Sequence, residues 1–465
     1  MLFPAATYTA RRAALCQKLS SGIALFPAND YVGRNYRGNT YSFRQDSNFL
    51  YYGGLQEPNV ALLVDADAGK STLYGEDRTL EDMVWEGPHP TLAERAAQIG
   101  AESYRPLSAL AADLAAYAKK QRIHYLPPYR PAIAQELQTY LQVNAEALKA
   151  GVSMELTHAV IAQRSYKTAE EIADMERAVT TSGQMHTAVM RAARPGMREA
   201  ELAGIAHGIA VQGGGDIAYG IILTTQGQTL HNHHHTNVLE KGQLVLGDYG
   251  AETPLRYAGD ITRTFPVSAQ FDERQRALYE LVLRTENEAI AQVRPGVANR
   301  ELHLGAARTL ATGLKEMGLM RGDVDEAVAA GAHALFFPHG LGHMIGLDVH
   351  DMEGLGEDHV GYDTEIRRSE QFGTAYLRLG KKLEPGFVLT VEPGIYFIPE
   401  LIDQWEAADK YSAFINYPAL ADYRSFGGIR IEDNVLVTED GHRVLGEPIP
   451  KTVEEVEALR AESLV

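Results

Sequence analysis

The sequence predicts an α+β protein of two domains, a smaller α/β domain over residues 1–165 and a larger domain of two related halves over 166–465. Three observations lead there. A chain of 465 residues is long enough for two domains and a large core. Its first third alternates short β-rich runs with stretches of helical periodicity. The remainder contains an internal echo, RPGMREAEL from Arg194 and RPGVANREL from Arg294, each following one helix-like stretch and starting another.

In the smaller domain, runs at 49–52 and 60–64 read as strands separated by the turn-forming GGLQEPN. Leu107, Leu110, Leu114 and Tyr117 recur at helical spacing, followed by the short run IHYL and then Pro127-Pro128. The alternation predicts a mixed or parallel sheet. No cluster of acids and histidines lies here, so the expected role is structural: covering the second domain, building an oligomer, or walling a cleft. The larger domain opens near Thr168, which forms a capping box with Glu171. Ile172, Met175, Val179, Met185 and Val189 continue a helical stripe whose methionines read as core. The glycines at 213–215 lack the lysine and the strand-loop-helix setting of a phosphate cradle and read as a turn.

Composition excludes several classes. A formal charge of −18, with no basic run longer than a dipeptide, argues against nucleic acid as partner. Cys16 is the sole cysteine, which rules out an intramolecular disulfide and a cysteine-based zinc site. The first residues lack the apolar core of a signal peptide, and no run is apolar enough to span a bilayer. The expectation is a cytoplasmic protein without a membrane partner.

The chemistry gathers on HGLGHMIGLDVHD, residues 339–351, with three histidines and two acids in one glycine-studded segment. Four other stretches bear on it: GDYG offers Asp248, AGDITRTFPV Asp260, TVEPGIYF Glu392 and GGIRIEDN Glu432. Each acid ends or interrupts an apolar run that reads as a buried strand. Carboxylates are rarely buried unless paired or coordinated. These four, with a histidine, ask for a cation. A set of Asp248, Asp260, His343, Glu392 and Glu432 is oxygen-rich, which suits Mn²⁺, and its one nitrogen also admits Co²⁺ or Zn²⁺. Two divalent ions match four carboxylates; one ion would leave an excess of about −2 in a buried site. Two ions close together can share a water and lower its pKa, so the reaction class is metal-assisted hydrolysis, with an amide as the favoured bond. There is no G-x-S-x-G, no HExxH, and Cys16 lies far from the histidines. The tract TLHNHHHTN, with His231, His233, His234 and His235, reads as a metal-storage run, an active-site loop or a solvated turn.

These ligand segments, in this order, resemble the dinuclear metallopeptidases of the pita-bread fold, the group of methionine aminopeptidase, aminopeptidase P and prolidase. AGDITRTFPV, PHGLGHMIGLDVHD, LTVEPGIYF and GGIRIEDN are similar to the Xaa-Pro-cleaving branch. FRQDSNFLYYGGLQEPN and DADAGKSTLY resemble the N-terminal domain of prolidase and aminopeptidase P, so the likeness covers nearly the whole chain. It implies a creatinase/methionine aminopeptidase-like catalytic domain in which Asp260 and Glu432 bridge two metals. Asp248 would bind one ion, and His343 and Glu392 the other. Glu392 would also shuttle a proton. His231 and His350 would hydrogen-bond substrate or steady the tetrahedral intermediate, and His339 would line the pocket. Arg430 would sit beside Glu432 and hold carboxylate geometry. The gap from Asp248 to Asp260 is one residue longer than the common family spacing, which implies an altered hairpin loop.

The insertion at 352–384 resembles prolidase and places Arg378 where prolidase has an arginine that grips a dipeptide's free carboxylate. The competing reading is a surface arginine in a basic run with Lys381 and Lys382. The resemblance therefore implies an Xaa-Pro dipeptidase acting on short proline-containing peptides as a homodimer or larger homo-oligomer. The alternatives are an Xaa-Pro aminopeptidase acting on longer peptides and, more remotely, a non-catalytic binding protein of the same fold.

Overall fold

The structure, a computed structural model, describes residues 2–464. The described residues form two compact units, one of residues up to 164 together with 354–356, the other of 165–353 and residues from 357 on.

The smaller unit is built on a five-stranded sheet in the order Ser103–Pro106, Lys70–Gly75, Ala61–Asp65, Ile23–Pro27, Ile123–His124. Its central pairs are antiparallel and its outer pairs parallel, a mixed sheet. Apolar runs such as IALFP and ALLVD are buried along nearly their whole length, as strands covered on both faces require. One face packs Leu25, Leu63, Leu110, Leu114 and Leu137 into a core.

The run at 49–52 is not a strand but lies in the helix Ser47–Gly53. Asp46 caps it, accepting from the backbone of Asn48 and Phe49 at 2.9 Å each. Gly54 closes it at φ +69°, where an added Cβ would lie 2.4 Å from the Tyr8 ring. A cap at each end outweighs the β preference of the aromatic residues between them.

The larger unit repeats one plan. The helix Ala169–Ala192 opens with the reciprocal Thr168–Glu171 capping box. It buries Met175, Val179, Met185 and Val189, while Ile172 is half-buried. An RPG turn leads to the helix Glu199–Gln212 and then to the strand Leu244–Asp248. The second half runs through Glu273–Gln292, the other RPG turn, Asn299–Glu316 and the strand Val388–Val391. Each strand sits in a three-stranded sheet, the first between Thr262–Pro266 and Ile222–Thr224, the second beside Asp433–Val437, which also pairs with His442–Val444. A bridge between Thr262 and Glu432 joins the halves.

Three ion pairs lock segments that flank the site. Lys167 holds Asp351 at 2.9 Å with both side chains fully buried. Arg263 donates to the Glu432 carbonyl at 2.8 Å and to Asp433 at 2.7 Å, and Lys451 reaches Asp433 from the other side at 2.6 Å. A buried guanidinium is tolerated only when its donors are filled. Here they fix the backbone at Glu432. Among the described residues no helix is long and apolar enough to cross a membrane.

Candidate active site

The four acids stand at strand ends. Asp248 closes Leu244–Asp248, Asp260 comes two residues before Thr262–Pro266, Glu392 follows Val388–Val391, and Glu432 lies between Gly428–Arg430 and Asp433–Val437. At a strand end the backbone ladder stops, so a side chain can turn into a cleft without breaking sheet hydrogen bonds.

Each carboxylate is held by groups far off in sequence. Asp248 accepts from Arg430 Nη2 at 2.5 Å and from the Tyr219 hydroxyl at 2.7 Å. The same hydroxyl contacts Asp260. The backbone of Asp260 is clamped by Asn434, whose Oδ1 accepts from its N at 3.0 Å and whose Nδ2 donates to its carbonyl at 2.6 Å. Thr262 Oγ1 donates to Glu432 at 2.6 Å, and Thr390 Oγ1 donates to Glu392 at 3.3 Å. Arg430, on the two-stranded sheet Gly394–Tyr396 with Gly428–Arg430, therefore grips Asp248 on another sheet, and the group on Glu432 is Thr262. Tyr219 and Thr262 are absent from the sequence reading. The alternation of buried Thr262 and Thr264 on one strand face was the available signal, and Tyr219 had none.

His343 donates from Nδ1 to the Met344 carbonyl at 2.9 Å. A carbonyl only accepts, so Nδ1 carries the proton and Nε2 is left for the acids, 3.4 Å from Asp260 and 3.7 Å from Glu392. The ligand atoms of Asp260, His343 and Glu432 all lie within 4.8 Å of one another, and all three residues are buried.

The electrostatics of this donor set fit divalent cations. Burial raises the Asp248 carboxyl, the Asp260 charge adds to the rise, and Arg430 opposes it. Burial and the charges of Asp260, Glu392 and Asp248 raise Glu432 well above its usual range. Burial also pushes Glu392 up to about 7. Burial disfavours a charge on His343, yet the carboxylates of Asp260 and Glu392 facing its Nε2 lift its pKa. The Tyr219 hydroxyl has one proton for two carboxylates. Arg430 thus offsets one of four charges, and an oxygen-rich set with one imidazole nitrogen is what hard or borderline divalent ions take.

A cavity of about 830 Å³ opens onto these acids, with His231, His233, His339, His350 and Arg378 in its wall. His339 donates from Nδ1 to the Gly340 carbonyl at 2.8 Å, so its Nε2 accepts from the Tyr396 hydroxyl at 2.9 Å. Tyr396 in turn accepts from Arg430 at 2.7 Å. Burial, then Arg430, hold His339 down at about 3, neutral at any working pH. His350 Nδ1 faces Glu353 at 2.5 Å, and Arg378 Nε donates to the same carboxylate at 3.1 Å. Lys382 instead pairs with Glu365 in solvent, and Lys381 covers the Phe387 ring, so the basic run points three ways.

The glycines of the HGLGH segment are steric requirements. An added Cβ at Gly342 would lie 1.9 Å from the Thr390 carbonyl, beside the strand that holds His343. Gly342→Ala is expected to cost roughly 1–3 kcal/mol of stability and to weaken Mn²⁺ binding, read by calorimetric melting and metal titration. An unchanged metal affinity would show that His343 does not depend on this contact.

Comparison with known proteins places this geometry. Residues 173–439 match the family model described as metallopeptidase family M24, and residues 8–125 match the aminopeptidase P N-terminal domain. The chain is 31% identical over 475 residues to a human Xaa-Pro dipeptidase, covering 98% of this chain and 94% of that one. It is 33% identical over 469 residues to an Xaa-Pro aminopeptidase of Escherichia coli K12, covering 97% and 96%. Among solved structures, aminopeptidase PepP of Pseudomonas aeruginosa superposes with a TM-score of 0.82 at 31% identity, covering 100% of this chain and 99% of that one. A zinc-substituted E. coli aminopeptidase P in complex with product gives 0.82 at 30%, with the same coverage. Mixed helix and strand, an aminopeptidase P-type N-terminal domain and a catalytic domain whose acids converge with one histidine all agree: the chain belongs to metallopeptidase family M24 and is a metallopeptidase of the pita-bread fold.

Proposed function

We propose that the enzyme is an exopeptidase that hydrolyses the Xaa-Pro bond, and that it acts as a dipeptidase. The observation that carries the dipeptidase reading is Arg378. It stands in the cavity wall together with Glu392 and His343, and its Nε alone is engaged, by Glu353. Among the described residues its two terminal nitrogens make no hydrogen bond, which leaves a planar fork for a carboxylate. An enzyme for longer peptides needs that end of the cleft open.

In this reading Asp248, Asp260, His343, Glu392 and Glu432 would hold two divalent cations. The oxygen majority favours Mn²⁺. Such ions supply neutralising charge, a more acidic water and polarisation of the scissile carbonyl. Glu392 takes a proton from the attacking water and passes it to the departing proline nitrogen. Its side chain is more exposed to the cavity than those of Asp260 and His343, 18% against 7% and 6%, as a group that meets substrate requires. His350, with Nδ1 on Glu353 and burial lowering its pKa to about 4, offers Nε2 as an acceptor to substrate. His231 is the donor left for the developing negative charge, and His339 lines the pocket. Arg430 keeps Asp248 and Tyr396 in place. A single cysteine suits a cytoplasmic enzyme, and we infer a homodimer or larger assembly with short proline-containing peptides as substrates.

The test is hydrolysis of an Xaa-Pro dipeptide and an Xaa-Pro-Xaa tripeptide with Mn²⁺. For Arg378→Ala, dipeptide kcat/KM is expected to fall about 10²-fold, mainly through KM, with the tripeptide nearly unaffected. A preference for the tripeptide that Arg378→Ala leaves unchanged would make the enzyme an aminopeptidase. Cleavage of neither, with metal bound, would favour a binding protein.

A further inference from the structure

The internal echo extends to individual hydrogen bonds. In the first half Gly196 N donates to the Leu239 carbonyl at 2.8 Å, Leu239 N to that of Met197 at 2.8 Å, and Glu199 N to that of Asn237 at 3.0 Å. In the second half Gly296 N donates to Leu383 at 2.8 Å, Leu383 N to Val297 at 2.8 Å, and Asn299 N to Lys381 at 3.1 Å. Bridges between Arg198 and Val238 and between Ala298 and Lys382 occupy the same place in each pattern. Each turn therefore grips the segment that enters a strand ending at a carboxylate, Asp248 in one half and Glu392 in the other. Immediately before the gripped segment lies a stretch of the cavity wall, with His231 in one half and Arg378 in the other.

The matched positions Glu199 and Asn299 are both fully buried, at 0% exposure. Glu199 takes donors from both ends of one loop. Thr225 N donates to it at 2.7 Å and Thr225 Oγ1 at 3.3 Å; Asn237 donates from N at 3.2 Å and from Nδ2 at 3.0 and 3.1 Å to the two oxygens. No cation is among these partners. A buried carboxylate neutralised only by hydrogen bonds is retained at a cost, and here the bonds all close the loop that carries Leu230, His231 and His233 into the cavity. Asn299 Nδ2 donates to the Leu379 carbonyl at 2.9 Å, one residue past Arg378. From the other side Gly361 accepts from Gly380 N at 2.8 Å and Lys381 N at 2.9 Å, and a Cβ on it would lie 1.7 Å from the Arg378 carbonyl.

We propose that Glu199 and Asn299 are a matched pair of positioning residues, Glu199 fastening both ends of the loop that presents His231 and Asn299 fastening the backbone that presents Arg378. The same turn, used twice, would then set both grips on the substrate. The inference rests on the reading of His231 and Arg378 as substrate-binding residues.

Glu199→Gln turns an amide donor toward donors and is the first variant to make. Asn237→Ala, which breaks the same clasp from the loop side, serves if the first fails to fold. Hydrogen exchange across 226–236 is expected to rise about tenfold, with the helix Ala169–Ala192 and the bound Mn²⁺ unchanged. In a double-mutant cycle, kcat/KM is expected to fall about tenfold or more in the otherwise native enzyme but less than about twofold when His231 is already Ala. Asn299→Ala is expected to raise KM for the dipeptide, and to lose that effect once Arg378 is Ala. Equal losses in both backgrounds, or unaltered exchange at 226–236, would overturn the proposal. If the native enzyme cleaves neither peptide, the functional reading falls, and the exchange result alone decides whether Glu199 fastens the loop.

Discussion

Glu392→Gln is expected to lower kcat for Xaa-Pro hydrolysis by about 10³-fold or more, the upper range of what a positioned acid–base group supplies combined with the loss of an anionic ligand. The substitution is nearly isosteric. The Thr390 hydroxyl can still donate to the amide oxygen, and the Glu392 backbone bond to the Leu341 carbonyl, 2.8 Å, is untouched. The protein should therefore fold as before. What disappears is a charge that His343 faces at 3.7 Å and a site that can take and return a proton. Steady-state kinetics, metal titration and a melting curve on one preparation separate the effects: metal binding should weaken, turnover should vanish, and the fold should remain. Turnover within about tenfold of the native enzyme, with metal at saturation, would remove Glu392 from the proton-transfer role.

Chelation is expected to abolish turnover in a protein that stays folded, with recovery on adding Mn²⁺. The stabilisation conferred by the metal should also depend on pH, and the sign follows from the carboxylates. Burial raises Glu392 from the ordinary 4.5 to about 7, and Glu432 and Asp248 shift in the same direction. A group raised in the folded state contributes stability that is present below its unfolded pKa and lost as pH rises through its folded value. For Glu392 that window runs from about 4.5 to about 7. Metal-free protein loses this contribution across the window, whereas ions that bind the ionised carboxylates regain it. The rise in melting temperature on adding Mn²⁺ should be small near pH 5 and approach a plateau above pH 7. Taking the difference between loaded and metal-free protein cancels the buried neutral histidines, such as His303 and His186, whose low pKa values act in the opposite direction. An increment independent of pH, or full activity after chelation, would contradict an ion held by this cluster.

The parts of the site legible in the sequence were those that violate a burial rule. Asp248, Asp260, Glu392 and Glu432 attracted notice because a carboxylate beside an apolar strand needs a partner, and His343 because it sits in a dense histidine segment. The structure gathers all five around one cavity. The groups that orient them break no such rule. A threonine in a strand or a tyrosine before one is ordinary: the spacing of Thr262 and Thr264 marks a shared strand face, but nothing local says that Thr262 donates to Glu432 or that Tyr219 stands between two aspartates. Arg430 shows the same limit. Its motif placed it beside Glu432, yet its guanidinium reaches Asp248, 182 residues away in the chain. The run at 49–52 shows the opposite limit: its aromatic residues favour a strand, and the Asp46 and Gly54 caps on either side override that preference.

The sequence by itself determined the α+β class, the two-part organisation, the echo of the RPG turns and the chemistry of a metal-assisted hydrolase. Each of these rests on periodicity, burial preference or residue type, which are properties of short windows. Only the tertiary structure decided which carboxylate each hydroxyl and guanidinium holds, which ring nitrogen of His343 faces the acids, and that Arg378 reaches the cavity while Lys382 turns to solvent. It also showed that Glu199 and Asn299 occupy equivalent places. Those choices depend on donors and acceptors brought together from distant parts of the chain at about 3 Å, and no local window of sequence encodes a distance of that kind.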